Sequence, residues 1–110
     1  INIGLLNTYI AGYRYYEGEK IEDIIQKDDP LQLERQPKNQ YDENAIAIFI
    51  EGIKLGYIPA GDNSVIANLM DQQLEVEAKV LGIYPENPTW ERVLIKTTLK
   101  IEVESFISYS

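Results

Sequence analysis

Tyr41 and Asp42 are the residues of this sequence whose types and placement most directly suggest binding chemistry. They lie in a polar segment, residues 37–44, that consists mainly of turn-forming residues. A turn of this composition needs no aromatic side chain for its own stability, so Tyr41 calls for a functional explanation. The neighbouring Asp42, when ionised, can only accept hydrogen bonds. This pair is therefore the first candidate for a ligand-binding site.

Arg14 and Tyr15 belong to a second candidate segment, residues 9–16, which is rich in tyrosine. The alternation of its residues predicts a β-strand with Tyr15 on one face and Arg14 on the other. Tyrosine is a good strand former and is commonly half-buried, so a structural role is the simpler interpretation. The pattern leaves both roles open.

The chemistry available to this chain is limited by the residues that it lacks. It has no cysteine and no histidine, which excludes disulfides, thiolate metal sites, histidine-dependent nucleophiles and most zinc chemistry. The acidic pairs Asp28-Asp29 and Asp42-Glu43 fall in turns, where solvated charges explain them, and the sequence has no Gly-rich phosphate loop. We predict no catalytic residue, no metal site and no cofactor, and hence no enzyme.

Size and charge limit the class of protein further. A chain of 110 residues, with 45% hydrophobic and 25% charged residues, is typical of one soluble domain. Its net charge of −8 disfavours long-range attraction to nucleic acid. No apolar run approaches the roughly 20 residues of a membrane helix, and no secretory signal is visible after Ile1. We expect no membrane partner and a cytoplasmic location.

Apolar periodicity predicts about six strands and two helices. The strands are expected at residues 9–16, 31–36, 45–50, 53–58, 74–84 and 90–103, and the helices at residues 19–27 and 60–73. Strands of this number in so short a chain tend to close into a barrel, because closure removes exposed edges. We predict a mainly β fold, a small OB-like barrel of about six strands with two short helices, in a single domain over residues 1–110.

The inward faces of the strands predict the core of this barrel. It is expected to contain Ile46, Ile48, Ile58, Val76, Val80, Ile95 and Leu99. The second helix is expected to pack through an apolar stripe of Val65, Ile66, Leu69 and Met70. An apolar tail is expected to dock on the domain through Phe106, Ile107 and Tyr109.

Four motifs together resemble the HIRAN domain family. They are Arg-Tyr-Tyr at residues 14–16, Leu-x-Leu-x-Arg-x-Pro at residues 31–37, Tyr-Asp-x-Asn-Ala-Ile at residues 41–46, and Gly-Tyr-Ile-Pro at residues 56–59 before a helix. The third motif is fairly specific, and the resemblance is strongest over residues 8–84. The family includes the N-terminal module of fork-remodelling helicase-like proteins and stand-alone bacterial domains. The resemblance implies a modified OB-fold barrel.

The resemblance also implies binding of single-stranded DNA at a free 3′ end, and with it a role in DNA repair. Carried over by position, Arg14 and Tyr15 meet a phosphate and a base, and Tyr41 stacks on the terminal base. Asp42 accepts a hydrogen bond from the 3′ hydroxyl. These assignments agree with the general chemistry of single-strand binding, in which aromatic rings stack on bases of any sequence.

Three further residues complete the implied site. Tyr57 stands where the helicase-linked members carry a histidine at the edge of the groove. Arg35 and Asn44 are expected to support the site, with the Asn44 amide bridging backbone groups of the turn. Arg35 or Lys38 could also supply a further contact to phosphate.

Two other interpretations are open. In a purely structural one, Tyr41 plugs an end of the barrel, Asp42 caps the turn, and Arg14 pairs with Glu34 or Asp42. In the other, the chain is a protein-interaction domain. Its acidic face then docks a basic partner, or the chain forms a homodimer through an exposed strand at residues 9–16. Convergence of the candidate side chains on one exposed groove favours the binding interpretation over the structural one.

Overall fold

A computed structural model describes residues 1–102 of the chain. The predicted docking of Phe106, Ile107 and Tyr109 lies outside the described residues. The described part contains six β-strands, two α-helices and three 3₁₀ turns. The strands are β1 (Asn2–Tyr9), β2 (Pro30–Arg35), β3 (Ile46–Ile50), β4 (Ile53–Tyr57), β5 (Glu75–Ile83) and β6 (Val93–Lys100). The helices are α1 (Gly18–Ile21) and α2 (Ser64–Asp71), and the 3₁₀ turns are Tyr13–Tyr15, Glu22–Ile24 and Thr89–Glu91.

All six strands form one antiparallel sheet in the order β1-β6-β5-β2-β3-β4. The two outer strands of this order meet just beyond the end of β1, where Ala11 and Tyr57 exchange backbone hydrogen bonds of 2.8 and 2.9 Å. This bridge closes the sheet into a barrel, which is the usual way to remove free edges from a small sheet. The mainly β fold with six strands and two short helices is confirmed.

Three β-bulges shape the barrel. They interrupt the ladders between β1 and β6, between β3 and β4, and between β5 and β6. In the first, Leu5 and Leu6 both pack on the core, and the buried Thr97 hydroxyl repairs the ladder. Its Oγ1 donates to the Leu6 carbonyl at 3.0 Å and accepts from the Leu6 N–H at 3.1 Å. Such bulges bend and twist strands, which helps a short sheet to curl.

The core lies where the sequence predicted it, with two exceptions. Ile46, Ile48, Ile58, Val80 and Ile95 are buried. Val76 and Leu99 are only half-buried, because they pair with each other one residue from the ends of β5 and β6, at the margin of the sheet. Val76 packs against the edge of the core.

The predicted strand at residues 9–16 is wrong. The strand ends at Tyr9, the chain crosses to β4 at Ala11, and Tyr13–Tyr15 form a 3₁₀ turn. Gly12 makes this change of direction with φ of 70°, a conformation that glycine adopts without strain. The turn separates Tyr13, which is buried, from Tyr15, which is exposed. The alternating pattern had placed Tyr13 and Tyr15 on the same face of a strand, whereas the 3₁₀ turn points them in different directions.

The two helices are shorter than predicted. The region of residues 19–27 divides into α1 and the 3₁₀ turn at Glu22–Ile24, with Ile25 buried and Ile24 exposed. In α2, Ile66 and Ala67 are buried but Val65 is 64% exposed, so the predicted stripe is rotated by about one residue. Within the described residues, no helix is long and apolar enough to cross a membrane.

Candidate functional site

A groove of about 420 Å³ lies beside the barrel closure, and we call it the tyrosine groove. Three structural units supply its walls: the Gly12–Tyr16 region, the polar turn before β3, and the end of β4 with the residues that follow it. Its lining consists of Ala11, Gly12, Tyr15, Tyr16, Asn39, Tyr41, Asp42, Ala45, Tyr57, Ile58 and Ala60. Four tyrosines and a single charged residue, Asp42, therefore face one hollow.

The barrel closure fixes one wall of the groove. Gly56 lies next to Tyr57 with φ of 150°, and a Cβ atom there would clash with the Ala11 carbonyl oxygen. Only glycine lets the two backbones approach this closely. The bulge between β3 and β4 also lies here. Gly56 pairs with Ile48 and Lys54 pairs with Phe49, so β4 has one extra residue, Leu55, between its two paired residues. The bulge thereby brings Lys54 and Tyr57 to the same side of the strand.

A polar cluster holds the turn that carries Tyr15 and Tyr16. The buried Tyr13 hydroxyl donates to Glu22 Oε1 at 2.9 Å, and Arg92 Nη1 donates to the same oxygen at 3.1 Å. Burial, followed by the Glu22 carboxylate, raises the pKa of Tyr13 well above its ordinary value. The hydrogen bond to Glu22 likewise raises the pKa of Arg92. Tyr13 is thus neutral and fixed at neutral pH, and its ring supports the turn from below.

The side chain of Asn39 organises the polar turn. Its Oδ1 accepts the backbone N–H groups of Tyr41 at 2.9 Å and Asp42 at 3.2 Å. Asp42 Oδ1 accepts the Asn44 N–H at 2.9 Å, and Asp42 Oδ2 accepts from Asn63 Nδ2 at 2.8 Å. Each carboxylate oxygen of Asp42 therefore takes one hydrogen bond from the protein, and each retains acceptor capacity. The Tyr41 ring projects outward and is 88% exposed.

A chain of hydrogen bonds joins the polar turn to β4. Lys54 Nζ donates to the Tyr57 hydroxyl at 2.7 Å, and that hydroxyl donates to Gln36 Oε1 at 2.9 Å. The same Gln36 oxygen accepts from Asn39 Nδ2 at 3.1 Å. Because the Tyr57 hydroxyl both accepts and donates within the protein, its ring is held in one orientation at the groove wall. Its centroid lies 6.1 Å from that of Tyr16.

The arginines of the predicted site lie in two different environments. Arg35 is mostly buried: its Nη2 donates to Asp71 Oδ2 at 3.1 Å, and its Nη1 donates to the carbonyl of Ala45, a groove residue, at 3.2 Å. It is therefore not free to bind a phosphate as well. Arg14 is exposed beside the groove, with its guanidinium carbon 5.2 Å from the Tyr15 ring centroid.

These placements bring together most of the residues predicted from the sequence. Tyr15, Tyr41, Asp42 and Tyr57 line the groove, and Arg14 stands next to it. The suggested pairing of Arg14 with Glu34 or Asp42 does not occur within residues 1–102.

Sequence reasoning missed several residues of the site, namely Tyr16, Gln36, Asn39, Lys54 and Asn63. The amide that joins the backbone groups of the turn belongs to Asn39, whereas Asn44 contributes its backbone N–H. An Asn two residues before Tyr41 is a known turn signal that could have identified it. No comparable signal was available for Lys54, because regular alternation places it opposite Tyr57.

The comparison with known proteins decides the family. The HIRAN domain model matches residues 3–102 of this chain. The chain belongs to the HIRAN family. Its relatives include the helicase-like transcription factors of Oryctolagus cuniculus, 31% identical over 83 residues, and of Homo sapiens, 30% identical over 83 residues. Each alignment covers 74% of this HIRAN chain but only 8% or 7% of the relative, so the chain spans less than a tenth of their length.

Solved structures show the same fold. A protein from Lactobacillus plantarum superposes with a TM-score of 0.75 at 24% identity, over 91% of this HIRAN chain and 98% of the other. The HIRAN domain of human HLTF superposes with a TM-score of 0.69 at 24% identity, over 99% and 87% of the two chains. The OB-like barrel inferred from the sequence is thereby confirmed.

The chemical groups of the tyrosine groove in this HIRAN domain are its tyrosine rings and one carboxylate. Exposed tyrosine rings offer apolar faces, and the Asp42 carboxylate offers an acceptor. Within residues 1–102, no cluster of three or more acidic side chains is arranged to hold a metal ion.

Proposed function

We propose that this HIRAN domain is a non-catalytic nucleic-acid-binding module that takes the free 3′ end of a single DNA strand in the tyrosine groove. The observation that carries the proposal is the convergence of Tyr15, Tyr41 and Tyr57 with the Asp42 carboxylate on one exposed hollow. A polar turn and a 3₁₀ turn would not both present tyrosine rings to solvent for stability alone, since exposed aromatic surface gains nothing from burial.

Stacking supplies the affinity in this proposal. Every base has a π-face, and one stacked base contributes about 1–3 kcal/mol in single-strand binders. Tyr41, at 88% exposure, and Tyr15, at 74%, have most of their ring surface free for such contacts. Binding of this kind tolerates any base, so we expect little sequence preference.

Asp42 supplies the selection for the strand end. Both of its oxygens are oriented by protein donors, so the carboxylate is fixed before a ligand arrives. A 3′ hydroxyl can donate to the remaining acceptor capacity, whereas a 3′ phosphate meets like-charge repulsion. The carboxylate thus lowers overall affinity for polyanions but favours one chemical end.

The decisive experiment compares oligo-dT strands that end in a 3′ hydroxyl or a 3′ phosphate, by fluorescence anisotropy at low salt. We expect the wild type to prefer the hydroxyl, and Asp42→Asn to narrow that preference because it removes the repulsion at nearly the same side-chain size. Tyr41→Ala should weaken binding of both strands by roughly 5-fold to 150-fold, the equivalent of one lost base stack. Equal affinity of the wild type for both ends would contradict the selection by Asp42.

The alternative is a protein-interaction domain, whose acidic face would bind a basic partner. We do not propose a homodimer through a strand at residues 9–16, because the chain forms no strand over residues 10–16. Absence of any oligonucleotide binding at low salt would favour a protein partner. A role of this domain in DNA repair rests on this same proposal, and a cytoplasmic location stays an expectation from the sequence.

A further inference from the structure

Lys54 is the partly buried cation next to the tyrosine groove. Its ammonium nitrogen lies 4.6 Å from the Tyr16 ring centroid and 4.4 Å from the Tyr57 ring centroid. One of its three N–H donors is used by the Tyr57 hydroxyl. Lys54 is not itself a lining residue of the groove, but both rings are, so its charge lies against two of the groove walls.

The charge of Lys54 has no carboxylate partner within residues 1–102. Lys20, Lys79 and Lys100, which are more exposed, each form an ion pair with an acidic side chain. Acidic residues outnumber basic ones by 18 to 10 in this chain, so a carboxylate opposite Lys54 would be easy to supply. A half-buried ammonium is costly to leave without an anion, and cation–π contacts offset only part of that cost.

Lys54 is nevertheless charged at neutral pH. Burial alone would lower the pKa of Lys54, but the hydrogen bond with Tyr57 and the contact with Tyr16 outweigh burial and raise it. The position therefore holds a permanent positive charge, N–H donors that no carboxylate of residues 1–102 occupies, and two aromatic walls. These features suit a singly charged anion that is covalently linked to an aromatic ring, such as a nucleic-acid base.

We propose that Lys54 binds one backbone phosphodiester of the strand whose terminal base stacks in the tyrosine groove. This inference rests on the proposed function and extends it, because it assigns the phosphate to a residue in β4. In this arrangement Asp42 and Lys54 contact different parts of the strand. The Asp42 carboxylate faces the uncharged 3′ hydroxyl, and the Lys54 ammonium faces one of the first phosphodiester linkages. An acidic domain can bind a polyanion in this way through one placed charge rather than a basic surface.

The test uses three variants of the full chain. Lys54→Gln removes the charge but keeps a polar side chain, and Lys54→Arg keeps the charge. Lys20→Gln is the matched control, since it lowers the net charge equally at an exposed position. Affinity for oligo-dT is measured against salt concentration, with natural strands and with strands that carry one uncharged methylphosphonate linkage at each of the first four positions from the 3′ end.

We expect Lys54→Gln to weaken binding roughly tenfold at low salt, as for the loss of one charged hydrogen bond. The slope of log affinity against log salt should become shallower by about 0.7, which corresponds to one phosphate. Lys54→Arg should retain most of the affinity. One methylphosphonate position should weaken binding to the wild type and to Lys20→Gln but not to Lys54→Gln, because the partner of that phosphate is already absent.

Two results would overturn the inference while leaving the proposed function intact. One is an equal loss in Lys54→Gln and Lys20→Gln, which would mean that only net charge matters. The other is a methylphosphonate effect that is the same in the wild type and in Lys54→Gln. If the wild type shows no binding to any strand, the proposed function fails, and the inference fails with it.

Discussion

The part of the chain that the structure describes contains a larger and a smaller hollow, and the smaller one has the chemistry expected of a binding site. The larger, about 690 Å³, is a trough across β1, β6, β5 and β2. Its lining consists of Asn2, Gly4, Asp28, Pro30, Leu31, Gln32, Leu33, Val76, Glu77, Ala78, Lys79, Lys96 and Thr98. It contains two acidic and two basic side chains and no aromatic ring, whereas the tyrosine groove has four rings and one carboxylate.

The support beneath the two hollows also differs. The trough lies mainly on paired strands, and its ion pair, between Lys79 and Asp28 at 3.3 Å, is exposed to solvent. Exposed ion pairs contribute little to stability. The groove lies on two irregular turns that are held by networks of partly buried hydrogen bonds, in which Tyr13 and Gln36 are central. Size alone would favour the trough, whereas fixed side chains of specific chemistry favour the groove as the candidate site.

The largest expected effect on stability comes from a glycine substitution at the groove, compared with a glycine substitution in the trough. Gly56→Ala should destabilise the domain by about 2 kcal/mol or more, because the new Cβ meets the Ala11 carbonyl and the φ of 150° strains any other residue. Gly4→Ala in the trough is the matched control. A Cβ atom there has no neighbour within 4 Å, so its effect should stay within about 0.5 kcal/mol. Urea denaturation of both variants measures the difference.

Similar stability of the two variants would show that the barrel closure is not tightly held at Ala11. In that case the groove would have a mobile wall, and the contrast with the trough would be lost.

The sequence predicted the regular parts of the fold well, for a physical reason. Strand β3 is buried along nearly its whole length and consists entirely of apolar residues, so composition alone reveals its burial, and the hairpin from β3 to β4 has the expected Glu51-Gly52 turn. The family motifs also pointed to Tyr41, Asp42 and Tyr57, which the fold brings to one groove.

The rest of the site depends on irregularities that periodicity does not reveal. The Tyr13–Tyr15 turn directs one tyrosine inward and the next ones outward, although alternation predicts a strand. The bulge in β4 brings Lys54 beside Tyr57, although their spacing of three residues predicts opposite faces. Asn63 reaches Asp42 from the start of α2, a contact between distant segments that no local pattern predicts.

A smaller effect is expected from the polar cluster under the groove. Tyr13→Phe should cost about 1 kcal/mol at neutral pH through loss of the hydrogen bond to Glu22. Because the pKa of Tyr13 is raised in the fold, its contribution is complete below the ordinary tyrosine pKa of about 10 and is lost as the pH rises above that value. The wild type should therefore lose stability in alkali more steeply than Tyr13→Phe.

The control for this prediction removes the exposed ion pair of the trough. Asp28→Asn keeps the positive φ of 72°, which asparagine tolerates, and should change the free energy of unfolding by less than about 0.5 kcal/mol. Denaturation curves at several pH values test both variants. An alkaline loss of stability that is unchanged in Tyr13→Phe would show that Tyr13 is not the group responsible.

The smallest expected effect is on binding, and it compares two glutamines, Gln36 at the groove and Gln32 in the trough. Gln36 Oε1 accepts hydrogen bonds from both Tyr57 and Asn39, so it couples the two walls of the tyrosine groove. Gln36→Met keeps a similar length and removes the acceptor, which frees the Tyr57 ring and the polar turn to move independently. Binding of a strand end should weaken roughly 3-fold to 10-fold, since each loosened contact must be ordered again on binding.

Gln32→Met is the matched control, because Gln32 is exposed in β2 and lines the trough. Its binding should equal that of the wild type, and its thermal stability sets the baseline for the substitution itself. Anisotropy with a 3′-hydroxyl strand gives the affinities, and NMR exchange of the Tyr57 ring resonances reports whether the wall has loosened. If Gln36→Met frees the ring without loss of affinity, preorganisation of the groove contributes nothing to binding. If both glutamine variants weaken binding equally, the ligand contacts the trough as well, and the two hollows act as one surface.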